Sequence, residues 1–312
     1  MLVEYIGVCK VQTNLTSTVR CFMRARVAIC FLLINKMEEL PELAVASAYA
    51  RTGADIFLGY LNETDLPDLK NTIKIIPLLL DRESDDQLLA TGGKYSDFHE
   101  DSFYRIVQYK WKLLQSVLNL GYDYIIYSDT DVYWNLDPIA EIVTNFELRS
   151  EVHIQIQSFT DLPSQPKLCM GFVALRNSSQ TFDFIQECQN RHTAHSRDFG
   201  RIGDDDIVTQ LYVDKKFPNL ILELPQTTFP VGRMFKLYSK KSIFPGLPSP
   251  VPFIFHANYV VGLRNKVILM KLFINRYSIE DRDEKLGFKL LLVLFLKKLK
   301  FFRTKLKRVL TH

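Results

Sequence analysis

The 312-residue sequence has 39 Lys and Arg, 35 Asp and Glu, and 47% hydrophobic residues. This composition suits a globular domain and excludes a disordered or collagen-like chain. Nine of the basic residues lie between Lys285 and Arg308, so the 30 remaining cations face 35 acidic residues. The rest of the chain is therefore acidic, which argues against nucleic-acid binding.

The five cysteines contain no C-x-x-C pair and leave one over if they are paired. A reducing compartment is therefore the expected setting. The apolar run from Val27 to Ile34 is far shorter than the ~20 residues that a membrane-spanning helix requires. We expect a cytoplasmic protein without a transmembrane segment in this region.

The chain after an N-terminal extension at 1–26 begins as a β-α-β unit. "VAICFLLI" from Val27 predicts a buried strand, and a helix follows from Pro41 to Gly53. "DIFLGYL" predicts the second strand and residues 73–79 the third. The polar residues 81–100 predict a surface loop, either a lid or a plain connector.

The next predicted helix, from Phe103 to Leu120, places Lys110 in the centre of its apolar stripe. A cation on a buried face needs an anionic partner. In one interpretation the stem of Lys110 packs while its ammonium reaches the helix edge. In the other, Lys110 points at a phosphate or at nearby aspartates.

The stretch "YDYIIYSDTDVYW" at 122–134 combines a buried strand with two carboxylates at its end. The strand predicted over Tyr124 to Ser128 releases Asp129 and Asp131 into a loop, where ligands bind in open α/β sheets. Two carboxylates one residue apart can face one divalent cation, and oxygen ligands suit Mg²⁺ or Mn²⁺. Such a metal would bridge a diphosphate.

Strands and helices continue to alternate, with strands at "VHIQIQ", "GFVALR", "LILEL" and "FIFHANYVVG" and helices after Pro138, over 179–192 and from Asp204. This alternation predicts an α/β fold with a mainly parallel sheet. His256 directly follows the apolar "FIF" and could add a nitrogen ligand to the metal. Lys266, after Gly262, could neutralise phosphate charge.

The last predicted segment, 277–312, differs from the domain predicted at 27–276. Residues 285–310 mix lysine and arginine with leucine and phenylalanine, a pattern typical of a helix lying on an anionic membrane surface. We expect peripheral association with the inner membrane face. The alternative is a C-terminal helix docked on the domain with a solvated basic face.

The ordered set "SDTDVYW", "CMGFVALRNS", "GDDDIVTQL", "FPVGRMF" and "HANYVVGLRNK" resembles GT-A nucleotide-diphospho-sugar transferases, and glycosyltransferase family 77 most, with family 8 as a relative. The resemblance implies a Rossmann-like GT-A domain in which Asp129, Asp131 and His256 hold Mn²⁺, or Mg²⁺, against the diphosphate. It also implies that the donor's anomeric configuration is retained.

Further roles follow from the same resemblance. Asp204, Asp205 and Asp206 occupy the segment that serves catalysis in these families, although Asp205 stands where Gln is usual, and Asp204 could alternatively be a helix cap. The residues expected to contact the nucleotide sugar are Asp129, Lys110, Gly171, Gly262 and Lys266.

The sequence therefore predicts a metal-dependent glycosyltransferase. We expect it to transfer a sugar from a nucleotide-diphosphate sugar to a glycan or lipid-linked acceptor. The expected donor is a UDP-sugar. Two alternatives stay open. "IIYSDTDVY" with "GDDD" also resembles a haloacid-dehalogenase-like phosphatase, although Tyr133 departs from its motif. The second alternative is a non-catalytic protein at the membrane surface that has the sugar-nucleotide-binding fold but transfers no sugar.

Overall fold

The computed structural model of the protein describes residues 25–33, 39–60, 75–79, 101–159, 166–198, 202–232, 251–258 and 262–277. Its elements follow in the order β1 (Val27–Leu33), α1 (Glu39–Thr52), β2 (Asp55–Tyr60), β3 (Ile75–Leu79), α2 (Asp101–Leu118), β4 (Tyr124–Ser128), β5 (Val132–Trp134), α3 (Ile139–Leu148), β6 (Ile154–Ser158), β7 (Leu168–Arg176), α4 (Ser179–Asp198), α5 (Asp204–Val213), β8 (Ile221–Leu224), β9 (Ile254–His256) and α6 (Leu263–Tyr277). The predicted loop at 81–100, residues 1–24 of the predicted extension and residues 278–312 of the predicted tail lie outside these ranges.

A seven-stranded sheet in the order β3-β2-β1-β4-β7-β6-β8 forms the centre of the described structure. The β2–β3, β1–β2, β1–β4 and β6–β8 pairs are parallel, whereas β7 is antiparallel to both of its neighbours. The predicted α/β fold with a mainly parallel sheet is confirmed. The antiparallel β7 was not predicted, because strand direction depends on long-range pairing.

Helices cover both faces of this sheet. Apolar side chains of α2, α4 and α5 pack on one face, represented by Trp111, Phe184 and Val208. Side chains of α1 and α3, such as Val45 and Phe146, pack on the other face. This arrangement buries the strands on both sides, which explains why β1 and β4 are almost continuously apolar.

A separate two-stranded ladder joins β5 to β9 in antiparallel register, with Val132 opposite His256. Helix α6 covers this ladder, where Phe273 stacks on the ring of Phe255 at a centroid distance of 4.4 Å. None of the helices in the described ranges has the length and apolar character that crossing a membrane requires.

Several predicted boundaries differ from the structure. Helix α1 begins at Glu39 rather than Pro41, and Glu39 forms an ion pair with Lys271 of α6. Proline is tolerated in a first helical turn, so it did not mark the start. Strand β7 begins at Leu168, three residues before the predicted start, because this segment continues the ladder with β6. Among the other differences, β3 begins at Ile75, α2 spans Asp101–Leu118, α4 extends to Asp198 and β9 covers only Ile254–His256 of the predicted "FIFHANYVVG".

Candidate metal centre and donor site

The two aspartates of the D-x-D segment lie in the tight connection between β4 and β5. The backbone N–H of Asp129 donates to the Gly171 carbonyl of β7 at 2.8 Å, and the N–H of Val132 donates back to the Asp129 carbonyl at 3.2 Å. These bonds fix the loop at the carboxyl end of β4. The predicted position of Asp129 and Asp131 at a strand end is confirmed.

His256 reaches this loop through the β5–β9 ladder. Because β9 runs antiparallel to β5 and ends at His256, its last residue lies beside the first residue of β5. The N–H of Ala257 donates to the Asp131 carbonyl at 2.9 Å and closes this end of the ladder. His256 Nε2 lies 3.1 Å from Asp131 Oδ1 and 3.9 Å from Asp129 Oδ2.

These contacts give a cluster that could hold a metal ion. One ligand atom each from Asp129, Asp131 and His256 lies within 4.8 Å of the other two. Two carboxylates and one imidazole form a donor set that suits a divalent ion such as Mn²⁺.

Fixed partners hold the carboxylate oxygens that face away from His256. The Tyr127 hydroxyl donates to Asp129 Oδ1 at 2.7 Å, and Lys266 Nζ donates to Asp131 Oδ2 at 2.7 Å. Burial alone would raise the pKa of Asp131, but the charges of Lys266 and His256 outweigh it and hold that pKa well below its ordinary value. Asp131 is therefore an anion at neutral pH.

Gly171 provides the space that this cluster occupies. A Cβ at position 171 would overlap the imidazole of His256 and would lie 2.8 Å from Asp129 Oδ2. The sequence suggested that this glycine lets a sugar approach the backbone. The structure shows an additional requirement, since any side chain at 171 would displace the ligand atoms of Asp129 and His256.

Lys110 lies behind the D-x-D loop, almost completely buried. Its Nζ is 2.5 Å from Asp204 Oδ2 and 3.4 Å from Asp129 Oδ1. The interpretation in which the ammonium reaches the helix edge is wrong, because these carboxylates compensate its charge inside the protein. Burial lowers the pKa of Lys110, but Asp129 and Asp204 outweigh that effect and keep the pKa well above its ordinary value.

The three consecutive aspartates at the start of α5 have different environments. Asp204 is buried against Lys110, and Asp205 Oδ1 accepts the backbone N–H of Met170 at 2.6 Å. Asp206 is exposed. The N-cap of α5 is Gly203 and makes no side-chain cap bond, so the interpretation of Asp204 as the helix cap is wrong. Burial and the charge of Asp204 raise the pKa of Asp205 well above its ordinary value.

Gly262 and Lys266 form the start of α6. Gly262 has a φ of +88°, a left-handed conformation that favours glycine, and its carbonyl accepts the N–H of Lys266 at 3.2 Å. This turn places the Lys266 side chain, one fifth exposed, against Asp131. The structure therefore brings Lys266 to the three candidate metal ligands, and Gly262 turns the chain at this point.

The contacts of three residues of the site were not predicted from the sequence. Tyr127 is the hydroxyl donor to Asp129, while Gln157 and Asn258 contact the second ring nitrogen of His256. Tyr127 could have been found, since it lies on β4 two residues before Asp129, a spacing that keeps both side chains on one side while the chain stays extended past Ser128. Gln157 could not, because its contact depends on the pairing of β6 with β7.

Solved structures that the chain resembles include that of mouse xyloside xylosyltransferase 1 in the apo form, at 14% identity and a TM-score of 0.48, covering 75% of this chain and 98% of that one. A glycosyltransferase involved in glycosylation of the major capsid of PBCV-1 matches at 10% identity and a TM-score of 0.45, covering 78% of this chain and 98% of that one. The glycosyltransferase GlyE from Streptococcus pneumoniae TIGR4 matches at 15% identity and a TM-score of 0.49, covering 88% of this chain and 64% of that one.

No curated protein matches the chain. The profile of the nucleotide-diphospho-sugar transferase family matches residues 81–270, a span that contains the D-x-D segment, the aspartates of α5 and His256. The predicted resemblance is therefore confirmed at the level of this family, while the assignment to family 77 stays a prediction. Because the profile covers more than half of the sequence, the chain belongs to the nucleotide-diphospho-sugar transferase family and is a glycosyltransferase.

Proposed function

We propose that this glycosyltransferase takes its sugar from a UDP donor in a reaction that needs a divalent metal ion, and that it retains the anomeric configuration. The observation that carries this proposal is the convergence of ligand atoms from Asp129, Asp131 and His256 in a chain of this family. The proposed acceptor is a glycan or a lipid-linked glycan. The phosphatase alternative finds no support, since the family match includes both segments on which it rested.

The ion proposed for this cluster is Mn²⁺, with Mg²⁺ as the other oxygen-preferring candidate. A mixed set of two carboxylates and one imidazole suits Mn²⁺ better than Mg²⁺, which prefers oxygen ligands and water. The bound ion would neutralise the charge that develops on the departing nucleoside diphosphate. Asp129, Asp131 and His256 would supply its protein ligands.

Two lysines supply positive charge around this centre. Lys266 is partly exposed and bound to Asp131, so its ammonium could also reach a phosphate oxygen of the donor. Lys110 is buried, and its role in the proposal is to hold Asp129 and Asp204 in place. Gly262 sets the start of α6 and with it the position of Lys266.

The aspartates of α5 are proposed to act on the sugar. Asp204 and Asp205 would border the proposed donor site. Asp205 accepts the backbone N–H of Met170, the residue before Gly171, and Asp204 shares Lys110 with Asp129. An anion close to the anomeric carbon would stabilise the positive charge that develops when the diphosphate departs. Asp204 fits this role better than Asp205, whose raised pKa favours the neutral acid. Exposed Asp206 is the weakest candidate.

Release of free nucleoside diphosphate from a panel of UDP-sugars and GDP-sugars tests the proposal. Mn²⁺-dependent release from one donor is expected for the intact protein, with loss of release in Asp131→Asn and His256→Ala. Asp183→Asn, an exposed aspartate on α4, is the matched control and should release normally. Binding of Mn²⁺ and nucleotide without release from any donor would instead favour the non-catalytic alternative.

The basic segment 285–310 adds a proposed location at an anionic membrane surface, which would bring the site to lipid-linked acceptors. Full-length protein should sediment with vesicles that contain anionic lipid and not with neutral vesicles. Replacing Lys297, Lys298 and Lys300 by Gln should weaken this sedimentation. Equal sedimentation of the variant and the original protein would refute the membrane proposal and leave the donor chemistry untouched.

A further inference from the structure

The imidazole of His256 has its second nitrogen in a buried polar network. Nε2 faces Asp129 and Asp131, whereas Nδ1 lies 2.9 Å from Gln157 Oε1. His256 and Gln157 are both buried, and Gln157 is fully enclosed. An imidazole that binds a metal through one nitrogen needs a partner for the proton on the other.

The orientation of the Gln157 amide follows from its other contacts. Its Nε2 donates to the carbonyls of Phe229 at 2.9 Å and of Pro230 at 3.1 Å. A carbonyl can only accept, so the amide nitrogen has to face this pair and the amide oxygen has to face His256. Gln157 therefore offers His256 an acceptor.

Among the described residues, Asn258 and the Cys169 sulfur, 3.6 Å away, are the other polar groups at this nitrogen. The Oδ1 of Asn258 accepts the N–H of Gly232 at 2.9 Å, so its Nδ2, a donor, lies 3.3 Å from His256 Nδ1. Gln157 and Asn258 demand opposite states of Nδ1. The contact with Gln157 is shorter, and Asn258 Nδ2 has a second partner in the Cys169 sulfur at 3.6 Å. The geometry thus favours a proton on Nδ1 that is donated to Gln157.

We propose that Gln157 is a positioning residue that fixes the Nδ1-protonated form of His256 and thereby directs the Nε2 lone pair at the metal ion. The inference rests on the metal site of the proposed function and deepens it. The carbonyls of Phe229 and Pro230, in the segment that precedes Gly232, orient Gln157 in turn. The segment of Phe229 and Pro230 therefore orients Gln157 of β6, and Gln157 orients His256.

Mn²⁺ binding to the full-length protein, measured from the electron paramagnetic resonance signal of the unbound ion, tests this inference without turnover. Gln157→Met keeps the volume and removes the acceptor, and should raise the dissociation constant by about 10- to 100-fold. Gln155→Met is the matched control on the same strand. Gln155 is equally buried, but its amide binds Ile142 and Asn145, so the dissociation constant should stay within about twofold.

A double variant separates positioning from general destabilisation. If Gln157 acts through His256, adding Gln157→Met to His256→Ala should change the dissociation constant by no more than about twofold. The inference would be overturned if Gln157→Met weakened Mn²⁺ binding equally with and without His256→Ala. Unchanged Mn²⁺ binding in the Gln157→Met single variant would also overturn it. A protein whose Mn²⁺ binding is unaffected by His256→Ala and Asp131→Asn would instead refute the metal site of the proposed function.

Discussion

Lys110 forms a buried ion pair with Asp204, and its removal gives a sharp test of the electrostatics of the site. The ammonium and the Asp204 carboxylate are 2.5 Å apart, and both residues are about 5% exposed. Lys110→Met preserves most of the packed stem of the side chain and removes the charge. The variant therefore isolates the ionic contribution from the contribution of the apolar stem.

The expected magnitude follows from the geometry. With an effective dielectric constant of about 20, two unit charges at 2.5 Å attract by about 7 kcal/mol. Desolvation of each buried ion costs several kcal/mol, so the intact pair contributes little net stability. Removing only the lysine takes away the cation that the structure places against the buried Asp204 carboxylate, for which the expected loss is about 3–5 kcal/mol in the free energy of unfolding.

Urea unfolding at pH 7 in the presence of a metal chelator measures this loss of unfolding free energy. The double variant Lys110→Met with Asp204→Asn should recover more than half of it, because the uncompensated charge is gone. Lys112→Met, on the same helix and partly exposed, should cost at most ~1 kcal/mol. A Lys110→Met loss below ~1 kcal/mol, or a double variant no more stable than the single one, would refute the reasoning.

Three further predictions concern the metal cluster. Gly171→Ala should weaken Mn²⁺ binding about tenfold or more while the protein stays folded, as checked by metal titration and circular dichroism, because the new Cβ displaces His256. In metal-free protein, the stabilisation from Asp131 should be complete above the unfolded-state pKa of 3.8 and disappear as pH falls below it. The difference in unfolding free energy between the protein and Asp131→Asn should therefore stay constant from about pH 7 to about pH 5 and shrink as pH falls from about 4 towards about 2 in urea titrations. Lys266→Met should raise the KM for the donor about tenfold, measured as nucleoside diphosphate release.

The sequence predicted the elements that carry a strong local signal. Strands β1, β2 and β4 are short apolar runs, and Gly53, with a φ of +61°, ends α1 as expected. The direction of β7 could not be predicted, since its apolar run fits either orientation. The pairing of β5 with β9 joins residues more than 100 positions apart, and nothing local in "VYW" or "IFH" indicates it.

The residues of the site also divide into those with a local sequence signal and those whose contacts depend on distant segments. Asp129 and Asp131 were identifiable because two carboxylates follow a buried strand directly. His256 was placed at the metal by its position after "FIF" and by the family resemblance, but the ladder that brings it there was not foreseen. The partner of Lys110 in α5 and the acceptor offered by Gln157 depend on contacts between distant segments. Residue type alone does not specify such contacts.

The charges of the site explain how it can stay folded before any donor binds. Asp131 is held by Lys266 and Asp129 by Lys110 and Tyr127, so the oxygens that do not face His256 are already compensated. Within the described ranges, the cationic partner of the oxygens that do face His256 is the imidazole. A divalent ion would therefore enter on the side where compensation is weakest. The lysines, fixed on the opposite side, would keep the carboxylates aimed at that position.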